Sequence, residues 1–299
     1  MNTVRIKSYA KINITLEITG VEKGYHMLDS LVGSVDIFDL VVLKKRKDTL
    51  CSVTMHGLGS ETIPPENNIA LIAGEKFSAK FGVTGVDITI YKNIPIGAGL
   101  GGSSADAAGV INGMAKLYNI EDKEALGALA EELGSDTRYM LDGGFARMQG
   151  RGERVQKLDF AQNFYMLMLC PKSAVSSGAC YQRYDAITNG FATGMATENA
   201  ILALQNGDLD GLGKALQNDL FIPATSLNPD VQKAYEEALS FSPLGAVMTG
   251  SGSAVLALFE TRELCEWAKS RYRGKFRAIV VKTVNPEKMN RGWKNPFTL

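Results

Sequence analysis

The first part of the chain contains segments in which apolar and polar residues alternate, a pattern typical of β-strands with one buried face. Residues 3–20 alternate in places, most regularly from Ile12 to Ile18. Lys11 and Asn13 lie on the second, polar face of this segment. The pattern therefore predicts a strand that carries a lysine and an asparagine side by side.

Three further segments before residue 95 have the composition of strands, namely residues 30–46, 50–57 and 85–94. Residues 68–82 instead place apolar side chains at helical spacing, and Gly82 is a suitable end signal. The N-terminal part of the chain is thus predicted to combine several strands with at least one helix.

Two alanine-rich segments with helical spacing follow, residues 104–120 and residues 122–134, the second of which closes at Gly134. Residues 135–158 carry glycine turns and little periodicity. Such a stretch indicates either the wall of a functional site or a junction between domains.

Beyond residue 159 the order of predicted elements changes. The predictions are a buried strand at 163–170, helix over 197–219, a helix opened by Asn228 and Pro229, a hairpin at 245–259, a helix at 261–274 and a strand at 275–284. This β-α-β-β-α-β order, with an extra helix, is the ferredoxin-like plan. We therefore expect an α+β chain with an α/β domain over residues 1–158 and a ferredoxin-like domain over residues 159–299.

Composition narrows the classes of partner. Lysine plus arginine and aspartate plus glutamate both total 32, so the net charge is zero. No broad cationic surface for nucleic acid or an anionic membrane is expected, whereas a small anionic ligand needs only a local positive site. No stretch reaches the roughly 18 apolar residues of a membrane span, and we expect a cytoplasmic protein. The sequence leaves the oligomeric state open.

Cysteine and histidine usage excludes other kinds of chemistry. The 4 cysteines are scattered without C-x-x-C spacing, which suits reduced core thiols. There are 2 histidines and no H-E-x-x-H motif, which argues against a zinc enzyme or a Ser/His hydrolase.

The glycine-rich stretch from Lys92 to Ser104 carries the clearest candidate chemistry. Residues 97–102 match G-x-G-x-x-G literally, yet the acidic residues at a suitable distance introduce a helix instead of ending a strand, which weakens a dinucleotide site. No Gly-Lys-Ser/Thr follows, so the stretch is not a Walker P-loop. Either a phosphate-binding loop of another kind or a simple glycine turn with Ser103 or Ser104 as helix cap remains.

Three separated segments resemble one known family. The stretch "PIGAGLGGSSADAA" resembles the P-x-x-x-G-L-G-S-S motif of the GHMP kinases, "YAKINITLEITG" resembles their N-terminal motif, and "MTGSGSAVLALF" resembles their C-terminal motif. The resemblance covers nearly the whole chain. It implies a two-domain GHMP kinase fold, with an ATP-binding domain over 1–158 and the family's C-terminal domain over 159–299, and ATP and Mg²⁺ as cofactors. No metal ligand can be assigned from the sequence.

Within this family the chain is most similar to the 4-diphosphocytidyl-2-C-methyl-D-erythritol kinases of non-mevalonate isoprenoid biosynthesis. The stretches "AKIN", "KGYHMLDSLVGSVDIFD", "ENNIALIA" and "FARMQGRGE" carry this similarity. The resemblance implies transfer of the γ-phosphoryl group of ATP to a hydroxyl of that small-molecule substrate. Two other hypotheses stay open: a GHMP kinase for another small alcohol, and a nucleotide-binding homologue without catalysis.

The resemblance assigns catalytic and ATP-binding roles. Asp136 falls at the position of the family's aspartate, the candidate base for the substrate hydroxyl, and Lys11 would position Asp136 and the γ-phosphate. Asn68 would lie near the nucleoside, or serve only as a helix cap. The residues expected to wrap the ATP phosphates are Pro95, Ile96, Gly97, Ala98, Gly99, Leu100, Gly101, Gly102, Ser103, Ser104 and Ala105. The turn at residues 249–254 would close over the phosphates, or be only a tight hairpin.

The resemblance also assigns the substrate contacts. Tyr25, His26 and Tyr181 fall at positions that hold the cytosine, since aromatic faces pack on a base and an imidazole can read its edge. Asn13 would contact the erythritol part. Ser177 stands where the family usually has threonine.

The sequence departs from the family pattern after Asp136. Residues 137–139 are Thr-Arg-Tyr, where Val-Pro-Phe or a close variant is usual. Arg138 could bind phosphate, pair with Asp142 or alter the choice of substrate. The glycine loop departs as well, at Ser103 and Ala105, although its length is kept. These departures put the exact alcohol substrate in doubt.

Overall fold

The structure is a computed structural model that describes residues 2–57, 59, 68–160 and 162–286. Its strands are β1 (Thr3–Asn13), β2 (Thr15–Glu22), β3 (Tyr25–Lys45), β4 (Ser52–His56), β5 (Val86–Tyr91), β6 (Phe145–Gly150), β7 (Arg154–Leu158), β8 (Tyr165–Cys170), β9 (Gln217–Asn218), β10 (Gly245–Met248), β11 (Val255–Phe259) and β12 (Arg277–Val284). Its helices are α1 (Ile69–Phe81), α2 (Gly102–Tyr118), α3 (Lys123–Leu133), α4 (Ser135–Met140), α5 (Ser177–Ile187), α6 (Met195–Asn206), α7 (Leu209–Ala215), α8 (Phe221–Leu227), α9 (Pro229–Leu239) and α10 (Arg262–Arg271).

The long strand β3 organises the N-terminal half. It pairs with β1, β2, β5 and β6, each antiparallel to it. The predicted strand over residues 3–20 is confirmed as β1 and β2, separated at Ile14, and the alternating apolar residues of this segment are buried.

The C-terminal half forms the sheet order β10-β11-β8-β12, which is the ferredoxin-like arrangement of four antiparallel strands. The last strand, β12, pairs with β8 along residues 277–282 and then with β3 through Thr283 and Val284. The α+β fold class is therefore confirmed. The predicted domain boundary after residue 158 falls between β7 and β8 and remains a prediction.

The helices cover the sheet through apolar faces. Helices α1 and α2 share a core with β3 and β5 that contains Phe77, Ile88 and Ile111, while α9 and α10 pack on β8 and β11. The end signals act as predicted. Gly82 ends α1 with a positive φ of 62°, and the Asn228 side chain caps α9 at the Asp230 amide.

Three regions differ from the sequence-based prediction. Residues 135–158 form α4 and the β6–β7 hairpin, where we expected only turns. Residues 217–218 form the short strand β9, which pairs with β2, so helix does not continue through 219. Helix α5 was not predicted. A six-residue helix and a two-residue strand are too short for hydrophobic periodicity to reveal them, and tertiary contacts determine both.

Two expectations from composition can be compared with the described residues. No helix among them is long and apolar enough to cross a membrane. All four cysteines are free thiols. Three of them are buried, and burial raises the pKa of the Cys170 thiol to about 12.

The shared core of α1 and α2 gives the first prediction. Because Phe77 is fully buried, Phe77→Ala should lower the free energy of unfolding by about 3–5 kcal/mol through lost burial and the cavity left behind. Denaturant unfolding followed by circular dichroism measures this change. The control is Phe191→Ala, whose ring is exposed, and which should change stability by less than about 0.5 kcal/mol. Equal effects of the two substitutions would contradict the assignment of Phe77 to the core.

Candidate active site

The glycine-rich stretch forms a loop that leads from β5 into α2. Gly97, Gly99 and Gly101 have positive φ values of 67°, 77° and 67°, a backbone conformation that side chains other than glycine's disfavour. Gly101 is the N-cap of α2, and no side chain makes a capping hydrogen bond there. Ser103 and Ser104 are therefore in the first turn of the helix and are not its cap, so the interpretation as a simple serine-capped turn is wrong.

Two distant segments hold this loop in place. The Lys11 amide of β1 donates to the Leu100 carbonyl at 3.1 Å. The Ala254 amide, at the turn between β10 and β11, donates to the Ala98 carbonyl at 3.2 Å. The three segments that carry the family motifs thus meet in space, although more than 200 residues separate the first from the last.

The side chains of Lys11, Asn13 and Asp136 meet beside the loop. Lys11 Nζ lies 3.3 Å from Asp136 Oδ2 and donates to Asn13 Oδ1 at 2.7 Å. Asn13 Nδ2 in turn donates to Ser30 Oγ at 2.8 Å. Lys11 is 8% exposed and Asp136 is 32% exposed, so the lysine is fixed while the carboxylate faces open space.

These side chains line a cavity of about 450 Å³, which we call the central cavity. Its wall also includes Gly99 and Gly101 from the loop, Ser103 and Ser104 from the first turn of α2, Ser135 from α4, Arg151, Ser177, Tyr181 and Ser251. Ser177, at the start of α5, lies within hydrogen-bond distance of Ser251, with 2.8 Å between the two hydroxyl oxygens. The central cavity therefore joins residues from both halves of the chain.

A second cavity of about 340 Å³, the loop cavity, lies on the other side of the glycine loop. Residues 94–103 line it together with Met55, Asn68, Ile69, Lys92 and Asp106. Gly99, Gly101 and Ser103 face both cavities. The Asn68 side chain accepts a hydrogen bond from the Ala70 amide at 2.9 Å, so Asn68 is a helix cap and also lines this cavity.

A third cavity of about 450 Å³, the outer cavity, adjoins the central cavity on its far side. Tyr25, His26 and Tyr181 line it, and Leu28, Ser135, Arg151 and Tyr181 face both it and the central cavity. The His26 ring stacks on Tyr181 with 4.8 Å between centroids, and His26 Nε2 lies 2.7 Å from Asp185 Oδ1. Burial, assisted by Asp136, raises the pKa of the Tyr181 hydroxyl, which therefore stays protonated.

Most of the predicted site residues thus lie along one row of three cavities. Ala105 is the exception: it is buried and lines a separate cavity between β1 and α2. Tyr25 lies at the open end of the row, with its ring 4.9 Å from the Arg151 guanidinium carbon.

The residues that follow Asp136 point away from the central cavity. Thr137 and Tyr139 are buried, and the Tyr139 hydroxyl donates to the Gly144 carbonyl at 2.6 Å. Arg138 lies 3.5 Å from Glu131 of α3. The suggested pair between Arg138 and Asp142 is wrong, because Asp142 lies beside Lys157 at 3.6 Å.

Four charged residues that sequence reasoning missed lie at or beneath these cavities. Lys92, Asp39 and Asp106 form a buried cluster beneath the glycine loop. Arg151 follows β6 and faces the central and outer cavities. A signal existed for the aspartates, since each interrupts an otherwise apolar or alanine-rich segment, and charges placed there are rarely buried without a partner.

Two family models match the chain. One is described as the GHMP kinases N terminal domain and matches residues 68–145, and the other is described as GHMP kinases C terminal and matches residues 200–276. A 4-diphosphocytidyl-2-C-methyl-D-erythritol kinase of Caldicellulosiruptor saccharolyticus is 35% identical over 283 residues, which cover 93% of this chain and 96% of the relative. A kinase of the same name from Carboxydothermus hydrogenoformans is 37% identical over 256 residues, which cover 84% of this chain and 86% of that relative.

Two solved structures are similar to this chain over nearly its whole length. A crystal structure of 4-(cytidine 5'-diphospho)-2C-methyl-D-erythritol kinase has a TM-score of 0.76 at 27% identity and covers 94% of this chain and 99% of its own. Homoserine kinase from Cytophaga hutchinsonii has a TM-score of 0.75 at 19% identity, with 95% of each chain covered, and shares the fold.

The contact between the glycine loop and the C-terminal hairpin gives a second prediction. A Cβ at Gly99 would lie 2.2 Å from the Thr249 carbonyl oxygen, and the φ of 77° is strained for alanine. Gly99→Ala should therefore lower the free energy of unfolding by about 1–3 kcal/mol. Thermal unfolding checks this, with Gly20→Ala as control, because a Cβ at Gly20 meets nothing within 4 Å. A Gly99→Ala protein as stable as the control would show that the loop does not need this close approach.

Proposed function

Because the chain belongs to the GHMP kinase family, we propose that it transfers the γ-phosphoryl group of ATP to a hydroxyl of 4-diphosphocytidyl-2-C-methyl-D-erythritol. The observation that carries the proposal is the 3.3 Å contact of Lys11 and Asp136 at the central cavity, between a glycine loop and an aromatic pair. The names of the relatives supply the substrate.

The row of cavities fits two ligands placed end to end. The loop cavity would hold ATP, because backbone amides of a glycine loop at a helix N-terminus favour phosphate. The outer cavity would hold the cytosine against His26 and Tyr181, which are already stacked. The alcohol to be phosphorylated and the γ-phosphate would then meet in the central cavity, beside Asp136.

Asp136 would act as the proton acceptor. As the bond from the γ-phosphorus to ADP breaks and its bond to the alcohol oxygen forms, the hydroxyl proton passes to the Asp136 carboxylate. The transition state of phosphoryl transfer is loose, so the carboxylate needs only to orient the hydroxyl and accept its proton late. Asp136 is open to the cavity and held by Lys11, which suits this role.

Lys11 would fix the geometry. Its backbone amide holds the glycine loop, while its ammonium group contacts both Asn13 and Asp136. One residue thereby sets the distance between the phosphates and the base. Phosphoryl transfer depends mainly on such alignment and on neutralising the transferred group.

Mg²⁺ would arrive with the nucleotide. The described part of the chain contains no group of three His, Cys, Asp or Glu side chains that could hold a metal. Magnesium in kinase sites is held largely by substrate phosphates and waters, and it neutralises charge between the β- and γ-phosphates. We assign no protein ligand to it.

The alternative of another alcohol substrate loses its main support. It rested on residues 137–139 and Ser177, but Thr137 and Tyr139 are buried and Arg138 lies beside Glu131. Ser177 does face the central cavity and is the departure that bears on the substrate. A homologue without catalysis is disfavoured, because Lys11 and Asp136 are in contact.

An assay of ADP release tests the proposal. With ATP and Mg²⁺, we expect turnover of the cytidylyl compound and none of homoserine or mevalonate. Turnover of another alcohol alone would select the second hypothesis, and ATP binding without any turnover would select the third.

Asp136→Asn gives the third prediction. The amide cannot accept the proton, so kcat should fall at least about 100-fold, while the KM for ATP changes little. The control Asp142→Asn alters a carboxylate in the same segment that lies beside Lys157 on the surface, and it should keep kcat. Unchanged turnover in Asp136→Asn would remove this residue from the mechanism.

Arg151 gives the fourth prediction. It faces both the central and the outer cavities, where the diphosphate that links cytidine to the alcohol would lie, and no carboxylate among the described residues pairs with its guanidinium. Arg151→Ala should raise the KM for the cytidylyl substrate about 10- to 100-fold, because the loss of one hydrogen bond to a charged group weakens binding by about this factor. The KM for ATP should not change. Arg151→Lys should recover part of this loss.

Arg154→Ala is the matched control for Arg151, since Arg154 is an exposed arginine three residues further on that lines none of the three cavities. It should leave both KM values unchanged. If Arg151→Ala raised the KM for ATP as much as the KM for the cytidylyl substrate, Arg151 would be a contact of the nucleotide instead.

A further inference from the structure

Three charged side chains are buried together beneath the glycine loop: Lys92, Asp39 and Asp106. Lys92 Nζ donates to Asp106 Oδ2 at 2.6 Å and also donates directly to Asp39 Oδ2. The side chains are 3%, 0% and 4% exposed, respectively. If all three were ionised, the cluster would keep one uncompensated negative charge away from water, which is costly.

The two aspartates differ in their hydrogen bonds. Asp39 Oδ1 accepts from the Asn93 amide at 2.6 Å and the Ile94 amide at 2.9 Å, so both of its oxygens have partners. Asp106 Oδ1 is buried and has no hydrogen-bond partner among the described residues. Such donors favour a carboxylate, and Asp39 has them at both oxygens while Asp106 has a donor at only one. Asp106 is therefore the group that carries either the uncompensated negative charge or a proton that neutralises it.

The cluster is close to the bound phosphates of the proposed complex. Lys92 and Asp106 line the loop cavity, and Lys92 Nζ lies 3.5 Å from the position that a Cβ on Gly102 would occupy. With Asp106 protonated, the cluster is neutral. With Asp106 ionised, a net negative charge would lie beneath the nucleotide.

We propose that Asp106 keeps a proton at neutral pH and is a positioning residue, which as a neutral acid holds Lys92 beside the glycine loop without adding negative charge next to the nucleotide. This inference rests on the proposed nucleotide site. Asp106 acts through Lys92 and through the charge of the cluster, since its free oxygen is enclosed by protein.

The electrostatic environment of Asp106 also favours its protonated form. Burial raises the pKa of Asp106 to about 8, against the opposing effect of Lys92 and with a further contribution from Asp39. Lys92 follows β5 and Asp39 lies on β3, and these are the charged groups that act on Asp106. Because an anionic nucleotide favours the protonated form, its affinity should fall as pH rises through this pKa. If only the protonated form binds, the Kd is about tenfold larger at pH 9 than at pH 7.

Calorimetric titration with ADP, at constant Mg²⁺ and ionic strength between pH 7 and pH 9, tests the inference. The wild-type Kd should rise about tenfold over this range. Asp106→Asn is neutral and can accept the Lys92 hydrogen bond through its amide oxygen. It should match the wild-type Kd at pH 7 within about threefold and vary less than twofold with pH.

Two further variants complete the test. Asp106→Ala removes a partner of Lys92 and should weaken ADP binding at pH 7, so rescue by asparagine separates positioning from loss of fold. Asp87→Asn, at a surface pair with Arg46, should keep the wild-type pH profile.

A wild-type Kd that does not change between pH 7 and pH 9 would overturn the inference. So would an Asp106→Asn protein that binds more than tenfold more weakly at pH 7, since the negative charge would then be required. ADP binding without pH dependence would overturn the role of Asp106 alone. No ADP binding at any pH would overturn the nucleotide site as well.

Discussion

The hydrogen bonds that hold the glycine loop to β1 and to the C-terminal hairpin are the constraint on which the site depends. A loop with three glycines at positive φ has no regular structure of its own, so its shape comes from the Lys11 amide on one side and the Ala254 amide on the other. These bonds connect strand β1, the start of α2 and the β10–β11 turn. The central cavity exists where the three meet, and the same connection brings Lys11 and Asp136 together.

The sequence predicted those parts of the molecule that follow local rules. Alternation located β1, β2 and β5, and Asn228, Pro229 and Gly82 marked helix ends as expected. The resemblance located the site residues, because their spacing in three ordered motifs carries information that no single motif has. Lys11 and Asp136, more than 120 residues apart, are adjacent in the structure as the resemblance implied.

What could not be predicted depends on tertiary contacts. The short strand β9 exists because β2 offers it a pairing edge and because Asn218 donates to the Met248 and Gly250 carbonyls. The partners of Asp106 lie 14 and 67 residues before it in the chain, and spacing gives no reason to group them. Arg138 likewise looked like a cation at the site, and only the position of α3 shows that it lies beside Glu131.

The position of β12 has a consequence for biosynthesis. A chain emerges from the ribosome with its N-terminus first, and N-terminal domains usually fold before C-terminal ones. Here the strand that pairs with both β8 and β3 is the last strand in the described part of the chain, so the β8–β12–β3 connection cannot form until residue 284 has emerged. Until then β8 and the middle of β3 each lack a neighbour along one edge. Exposed strand edges of this kind favour pairing between chains, so the nascent protein is prone to aggregate from the time β8 emerges until β12 has paired with it.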